Sequence, residues 1–386
     1  MEIPFSSSAR TSLGVEWELE LVDRGTRELT SGASPILAEL AAGPGGDGEG
    51  GHPRAKHELL ESTIEVITGV CGTVAEAKKD LAATVADVGA VADRHGLGLM
   101  CSGTHPITDY ETQCISPNPR YARLIEHMQW LARRLQIFGV HVHVGVRATE
   151  KVIPIVNALS GYIPHFLALS ASSPYWLGMD TGLASSRSKV FESLPTAGLP
   201  HQFSNWGEFE DFMETLLSSR TIESIREVWW DIRPHPTFGT VELRMCDGLP
   251  TLFEIGAIAA LAQCLVERMD GQIDRGYTLP QPKGWVVREN KWRAARYGLD
   301  AQIMVDGYGT TRPVQADIAD LVDDLMPVAR RLGCTEELSD VLTIVEVGAS
   351  YARQRDAARR AGGDLRAVVD TLLEEMSTGR PVSVGR

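Results

Sequence analysis

Residues 13–22 read LGVEWELELV, and this strict alternation is what most restricts the fold. On a β-strand Glu16, Glu18 and Glu20 share one face, about 7 Å apart, while Val15, Trp17, Leu19 and Leu21 point into an apolar layer. Like charges along one strand repel, so something positive should cover that face. A divalent cation held by carboxylate oxygens is one candidate, and a plain solvated face is the other.

Two more segments repeat the pattern. In residues 138–145 (FGVHVHVG), His141 and His143 share a face opposite Val140, Val142 and Val144. The i, i+2 spacing suits metal or phosphate ligation, and also suits two hydrogen-bonded histidines on a half-buried sheet. Residues 239–247 place Glu242 and Arg244 opposite Val241, Leu243 and Met245. Three strands far apart in sequence thus each carry one ionisable face, and a single sheet with a polar active-site face accounts for all of them. Residues 56–69 are expected to begin as a helical or irregular turn and to end as a β-branched strand. A helical portion would align Glu58, Glu61 and Glu65, and in the strand Glu65 faces away from the apolar layer. Scattered glutamates on a helix are also an ordinary solvated face.

At 386 residues the chain can bury a large core as one α+β domain or two smaller ones. A net charge of -14 and no basic run exclude general nucleic-acid affinity. With no signal pattern and no uninterrupted apolar run of about 18 residues, neither export nor membrane insertion is expected, and the protein reads as cytoplasmic. The six cysteines form no CxxC pair and are expected to be reduced thiols. Helical patterns fill 73–95, 118–136, 149–172, 206–219 and 251–271, and the chain after 314 reads as helical to Met376. Strands and helices do not alternate as in a doubly wound fold, so an antiparallel sheet with helices on its outer face is expected. Residues 43–51 (GPGGDGEGG) formally satisfy GxGxxG, but a helix precedes them and an extended segment follows, so they read as a mobile loop. No P-loop sequence occurs. Two apolar helices, at 252–266 and 318–342, suit either the core or a homodimer interface.

Taken together, these segments resemble the type 2 glutamate–cysteine ligases, also called carboxylate–amine ligases, of the glutamine-synthetase-like superfamily. The resemblance is carried by residues 14–23, 58–69, 139–145, 185–191 (SSRSKVF), 229–247 (WWDIRPHPTFGTVELRMCD) and 289–298 (ENKWRAARYG), in the family order. It implies a curved antiparallel β-sheet forming an open funnel, with helices outside and ATP and divalent ions inside. Residues 1–376 would form a single catalytic domain with a mobile loop at 43–51, and 377–386 a fraying tail. Such enzymes activate the γ-carboxylate of L-glutamate as an acyl phosphate, which an amine, L-cysteine in the family name, then displaces. By the same resemblance Glu16, Glu18, Glu58, Glu65, His141 and Glu242 are metal ligands. Arg187, Arg244 and Glu65 are catalytic, with the two arginines also handling phosphate or substrate carboxylate. Trp17 departs from the acidic residue common between the two glutamates, but it points to the apolar layer.

The chemistry of the residues agrees. A carboxylate needs a leaving group before an amine can attack it, and phosphoryl transfer spreads negative charge that Mg2+ and arginine stabilise. Several carboxylates suit Mg2+, and one imidazole among them admits Mn2+. Arg293 and Arg296 are candidates for the glutamate α-carboxylate, or else form a salt bridge within a helix. Glu20, Glu61 and His143 are supporting or alternative ligands. Three other readings stand beside glutamate–cysteine ligation: a ligase for another amine, an amide hydrolase with zinc on His141 and His143, and a binding protein without turnover.

Overall fold

The computed structural model describes residues 2–43, 45–48 and 51–382. Of the expected glycine-rich loop, Pro44, Glu49 and Gly50 lie outside these residues, as does 383–386 of the tail.

The alternating segments pair into one antiparallel sheet. Its strands are β1 (Leu13–Asp23), β2 (Ala55–His57), β3 (Thr63–Ile67), β4 (Leu97–Met100) and β5 (Val140–Gly145). A two-stranded ribbon of β6 (Tyr175–Trp176) and β7 (Met179–Asp180) follows, before β8 (Ile232–His235) and β9 (Thr240–Leu243) complete the sheet. The order is β2-β3-β1-β5-β9-β8, with β4 pairing the far end of β1. A second ribbon, β10 (Gln302–Met304) and β11 (Thr311–Pro313), stands apart.

The apolar faces behave as their period dictates. Val15, Trp17, Leu19, Ile64, Val66, Val140, Val142, Val144, Val241 and Leu243 are buried in one continuous core. Each such aliphatic side chain contributes about 1.5–3 kcal/mol by leaving water. Trp17 is 2% exposed and donates its indole N–H to the Leu249 carbonyl at 3.0 Å, so its polar edge is satisfied in the core. Helices Val74–Arg94, Thr149–Leu159 and Leu252–Asp274 pack behind the sheet. Thr73 caps the first, accepting from the Glu76 amide at 3.2 Å.

Several expectations change. Residues 55–57 are strand and 58–62 a turn, so the segment from Lys56 holds no helix; Lys56 pairs across to Glu65 instead. The expected 118–136 helix breaks at Gln129, whose φ is 49°. Helix Leu252–Asp274 is buried along most of its length and packs against helices Val314–Leu332 and Thr335–Val347, which puts it in the core, one of its two expected places. The expected 318–342 helix is instead divided between those two at Gly333. Residues 149–170 are apolar and long enough to cross a membrane, yet 83% of that window is buried within the fold. The final helix runs on to Thr378, and the Val382 amide donates to Glu375 at 3.0 Å, so the segment beyond Met376 is tied down at least that far. All six cysteines are unpaired.

Candidate active site

The polar face of the sheet floors a cavity of about 1430 Å³. Strand register sets its floor. Glu65 of β3 lies opposite Glu18 of β1, and Glu16 opposite His141 of β5. His143 lies opposite Glu242 of β9, which lies opposite Arg233 of β8. Two-residue periodicity on five antiparallel strands therefore delivers carboxylates, imidazoles and guanidinium groups to adjacent positions of one face.

At the centre, among the described residues, Glu16, His143 and Glu242 bring ligand atoms within 4.8 Å of one another. His143 Nε2 sits 3.3 Å from Glu16 Oε1 and 3.8 Å from Glu242 Oε1, buried and without an aligned hydrogen bond to either. Its Nδ1 lies 3.0 Å from the Thr240 hydroxyl. With Nδ1–H donating to that oxygen, Nε2 keeps a lone pair aimed between two carboxylates, an arrangement that fits a divalent cation. The resemblance gave His141 as a ligand and His143 as a supporting or alternative one; the ring nitrogen that meets both Glu16 and Glu242 here belongs to His143. His141 contacts Glu16 Oε2 at 3.1 Å, and burial, with Arg244 nearby, pushes its pKa down to about 4, so it is neutral. Burial opposes the charge on Glu16, but the hydrogen bond with His141 and the close His143 ring prevail and hold its carboxyl well below the usual range.

Glu242 is held by two arginines. Burial again opposes its charge, and Arg244 and Arg233 outweigh it. Arg233 approaches Glu242 Oε2 through Nε at 2.9 Å and Nη2 at 2.8 Å, and Arg244 bonds Oε1 through Nη1. Arg244 Nε has no partner.

Glu18, Glu58 and Glu65 line the same cavity as a second carboxylate group. Burial, then the neighbouring Glu58, pushes Glu18 up to about 8; burial raises Glu58; burial, then Glu16, raises Glu65 well above the carboxylate range. Glu18 accepts the Gly139 amide, and Glu58 accepts from Leu59 at 2.9 Å. These three face the cavity without converging as tightly as the central three.

Five expected residues stand elsewhere. Glu20 is fully buried beneath the floor, accepting from the Ser102 amide at 2.7 Å and its hydroxyl at 2.9 Å. Glu61 holds the start of helix Ala33–Ala42, accepting from the Ser34 amide at 3.2 Å and hydroxyl at 2.7 Å. Arg187, 4% exposed, does not line the cavity; a Cβ on Gly139 would strike its guanidinium, so it lies over that glycine on the face shared with His141, and its charge opposes the rise in the Glu18 pKa. Arg293 pairs with Glu289 one helical turn away at 2.8 Å, and Arg296 donates to the Gly182 carbonyl, so neither reaches the site. The cations that do line it include Arg120, Arg123, Arg220, Arg226 and Arg233. Only Arg233 carried a sequence signal, its alternation with Ile232 and Pro234.

The family model described as Glutamate-cysteine ligase family 2 matches residues 12–371. The chain belongs to this family. A Frankia casuarinae protein, provisionally named glutamate--cysteine ligase 2-1, is 70% identical over all of both chains. A Thermobifida fusca relative, provisionally named glutamate--cysteine ligase 2, is 58% identical over 99% of this chain and 94% of its own. Among solved structures, the Francisella tularensis glutamate--cysteine ligase in complex with AMP superposes with TM-score 0.71 at 11% identity, covering 99% of this chain and 91% of that one. A bifunctional glutathione synthetase from Pasteurella multocida gives 0.69 at 14% identity, covering 96% of this chain and 52% of that one. At such identities the superpositions speak for the fold: a glutamine-synthetase-like mixed fold with an antiparallel sheet.

Proposed function

We propose that this family member is an ATP-dependent glutamate–cysteine ligase, forming γ-glutamylcysteine through a γ-glutamyl phosphate and releasing ADP and phosphate. The observation that carries the reading is the row Glu65–Glu18, Glu16–His141 and His143–Glu242–Arg233 across neighbouring strands, an acidic floor edged by arginines. Its volume also exceeds the roughly 300–1,000 Å³ that suits one small ligand, as a site for nucleotide plus amino acid requires.

Magnesium, or manganese in its place, would be held by Glu16, His143 and Glu242 and would neutralise phosphate oxygens when bound. The unpartnered Nε–H of Arg244 faces no competing acceptor and is assigned to a phosphate or carboxylate oxygen. The donor carboxylate oxygen attacks the γ-phosphorus and ADP leaves; the amine then attacks the acyl carbon and phosphate leaves. Glu65 is assigned the proton that the attacking amine sheds, a role it takes when ionised, with bound cations offsetting the burial and neighbouring carboxylates that raise its pKa. Arg187 keeps Gly139, and through it Glu18, in place rather than touching substrate. A cytoplasmic setting, with its nucleotide and reduced thiols, goes with this reading. The hydrolase reading is less well supported, because only one imidazole joins the carboxylates that converge.

The test is ADP release with Mg-ATP and glutamate across a panel of amines including cysteine, with Glu16→Gln as control. Release that requires cysteine and vanishes in the variant supports the reading. Release with a different amine renames the acceptor, and no release with any pair ends the ligase assignment.

A further inference from the structure

Phosphoryl transfer and amide formation call on carboxylates, cations and arginines, and leave the aromatic side chains of the cavity unused, the exposed Phe238 among them. Phe238 sits in the turn between β8 and β9, lines the cavity, and is 56% exposed. Its ring is stacked on His235 with centroids 4.0 Å apart and planes 7° from parallel. It stands edge-on to His143, 5.7 Å away at 66°, and His235 is itself 5.6 Å from His143. One face of the phenyl is thus covered by an imidazole, while most of the rest of the ring is open beside the residues that would hold a metal–phosphate group.

The turn that carries this ring is braced. Gly239 has φ +67°, and a Cβ there would lie 1.5 Å from the Ser6 carbonyl oxygen, so the N-terminal segment packs directly on it. Ser6 N–H donates to the Pro236 carbonyl and Val146 N–H to the Gly239 carbonyl, each at 2.9 Å. The ring is therefore presented in one orientation rather than left on a loose hairpin, and a preorganised aromatic face binds a planar ligand at small ordering cost.

We propose that Phe238, backed by His235, is the stacking surface for the heteroaromatic base of the nucleotide whose phosphates lie over Glu16, His143 and Glu242. This rests on the nucleotide reading above and adds the place of the base. Aromatic stacking accepts any base because each has a π-face, so the residue supplies affinity for the nucleoside more than choice among bases.

Calorimetric titration with Mg-ATP and with Mg-tripolyphosphate, which has the phosphates and no base, tests it on the wild type, Phe238→Ala and Phe238→Tyr. The expected result is a Kd for Mg-ATP raised roughly 5- to 100-fold in Phe238→Ala and restored in Phe238→Tyr, with tripolyphosphate unchanged throughout. In turnover, KM for ATP should rise while kcat and the KM for glutamate hold. A Phe238→Ala variant that keeps ATP affinity within about twofold, or that loses ATP and tripolyphosphate equally, overturns the stacking role while leaving the ligase reading intact. A wild type that binds neither ligand overturns both. Because the side chain is more than half exposed, unchanged thermal melting of the variants is expected and separates loss of binding from loss of fold.

Discussion

Replacing Arg233 by Met keeps much of the side-chain volume and removes its charge, which makes Glu242 report on how its own charge is held. Arg233 is 8% exposed, bonds Glu242 Oε2 through two nitrogens, and donates Nη1 to the Arg226 carbonyl at 2.8 Å and the Val228 carbonyl at 3.3 Å. Breaking a buried ion pair from one side costs about 3–5 kcal/mol. Arg244 remains on the other oxygen, so roughly half of that, about 2 kcal/mol, is expected to be lost here. Two carbonyls lose a donor, about 1 kcal/mol each where no water reaches them. The sum is a loss of about 3–4 kcal/mol in urea unfolding. Glu242→Gln removes the charge that Arg233 answers, so the double variant should be less destabilised than the two single losses added together, by more than about 1 kcal/mol. A loss under about 1 kcal/mol in Arg233→Met, or single effects that simply add, would refute the argument that these arginines hold the carboxylate.

Three further outcomes are expected. His105 is buried, its Nδ1 accepts the Thr108 amide at 3.1 Å, and burial pushes its pKa down to about 3. The unfolded imidazole takes up a proton near pH 6.5 while the folded one does not, so this contribution to stability falls as pH drops from about 6.5 toward 3. His105→Asn should flatten the loss between pH 6.5 and 5 by about 2 kcal/mol in urea unfolding, and an unchanged slope would count against it. Arg293→Ala and Arg296→Ala should leave the KM for glutamate within about twofold, because both side chains are engaged away from the cavity; a tenfold rise would restore the substrate role. Cys114 is exposed and the other five cysteines are buried, so a thiol reagent should label one site quickly in the native protein and six after denaturation.

The legible part of this chain was what period two can express. Alternation in residues 13–22, 138–145 and 239–247 showed which side chains share a face, because that depends on backbone geometry within each segment. Which of them meet depends on register between segments, and register is not local. His141 and His143 share a face, yet only pairing with β9 brings His143 to Glu242. Glu20 continues the alternation of Glu16 and Glu18 but lies over β4 and Ser102, so one strand serves the cavity at one end and the interior at the other. Glu61 looked like its neighbours until Ser34 supplied its partner. In sequence Arg293 suits a substrate role or a salt bridge within its helix, and it pairs with Glu289; Arg296 bonds the Gly182 carbonyl, and Arg187 lies over Gly139. Arg120, Arg123, Arg220 and Arg226 arrive from a helix and a turn-rich stretch where no periodic pattern marks a facing direction.

The order β2-β3-β1-β5-β9-β8 also has a consequence for synthesis of the chain. β1 emerges first, finds β3 about 40 residues later, gains β4 at the far end of its other edge, and waits for the rest of that edge until β5 has been made. β5 in turn keeps an open edge for roughly 90 residues more, until β8 and β9 follow. For much of translation the growing polypeptide therefore carries an unpaired, valine-rich strand edge, the kind of surface that invites pairing with another molecule. A fragment ending before β9 lacks Glu242, so the proposed activity is expected only with the last stage of sheet assembly. Recovery of ADP release after dilution from denaturant should lag the return of helical signal, since its rate is set by joining strands roughly 100 residues apart.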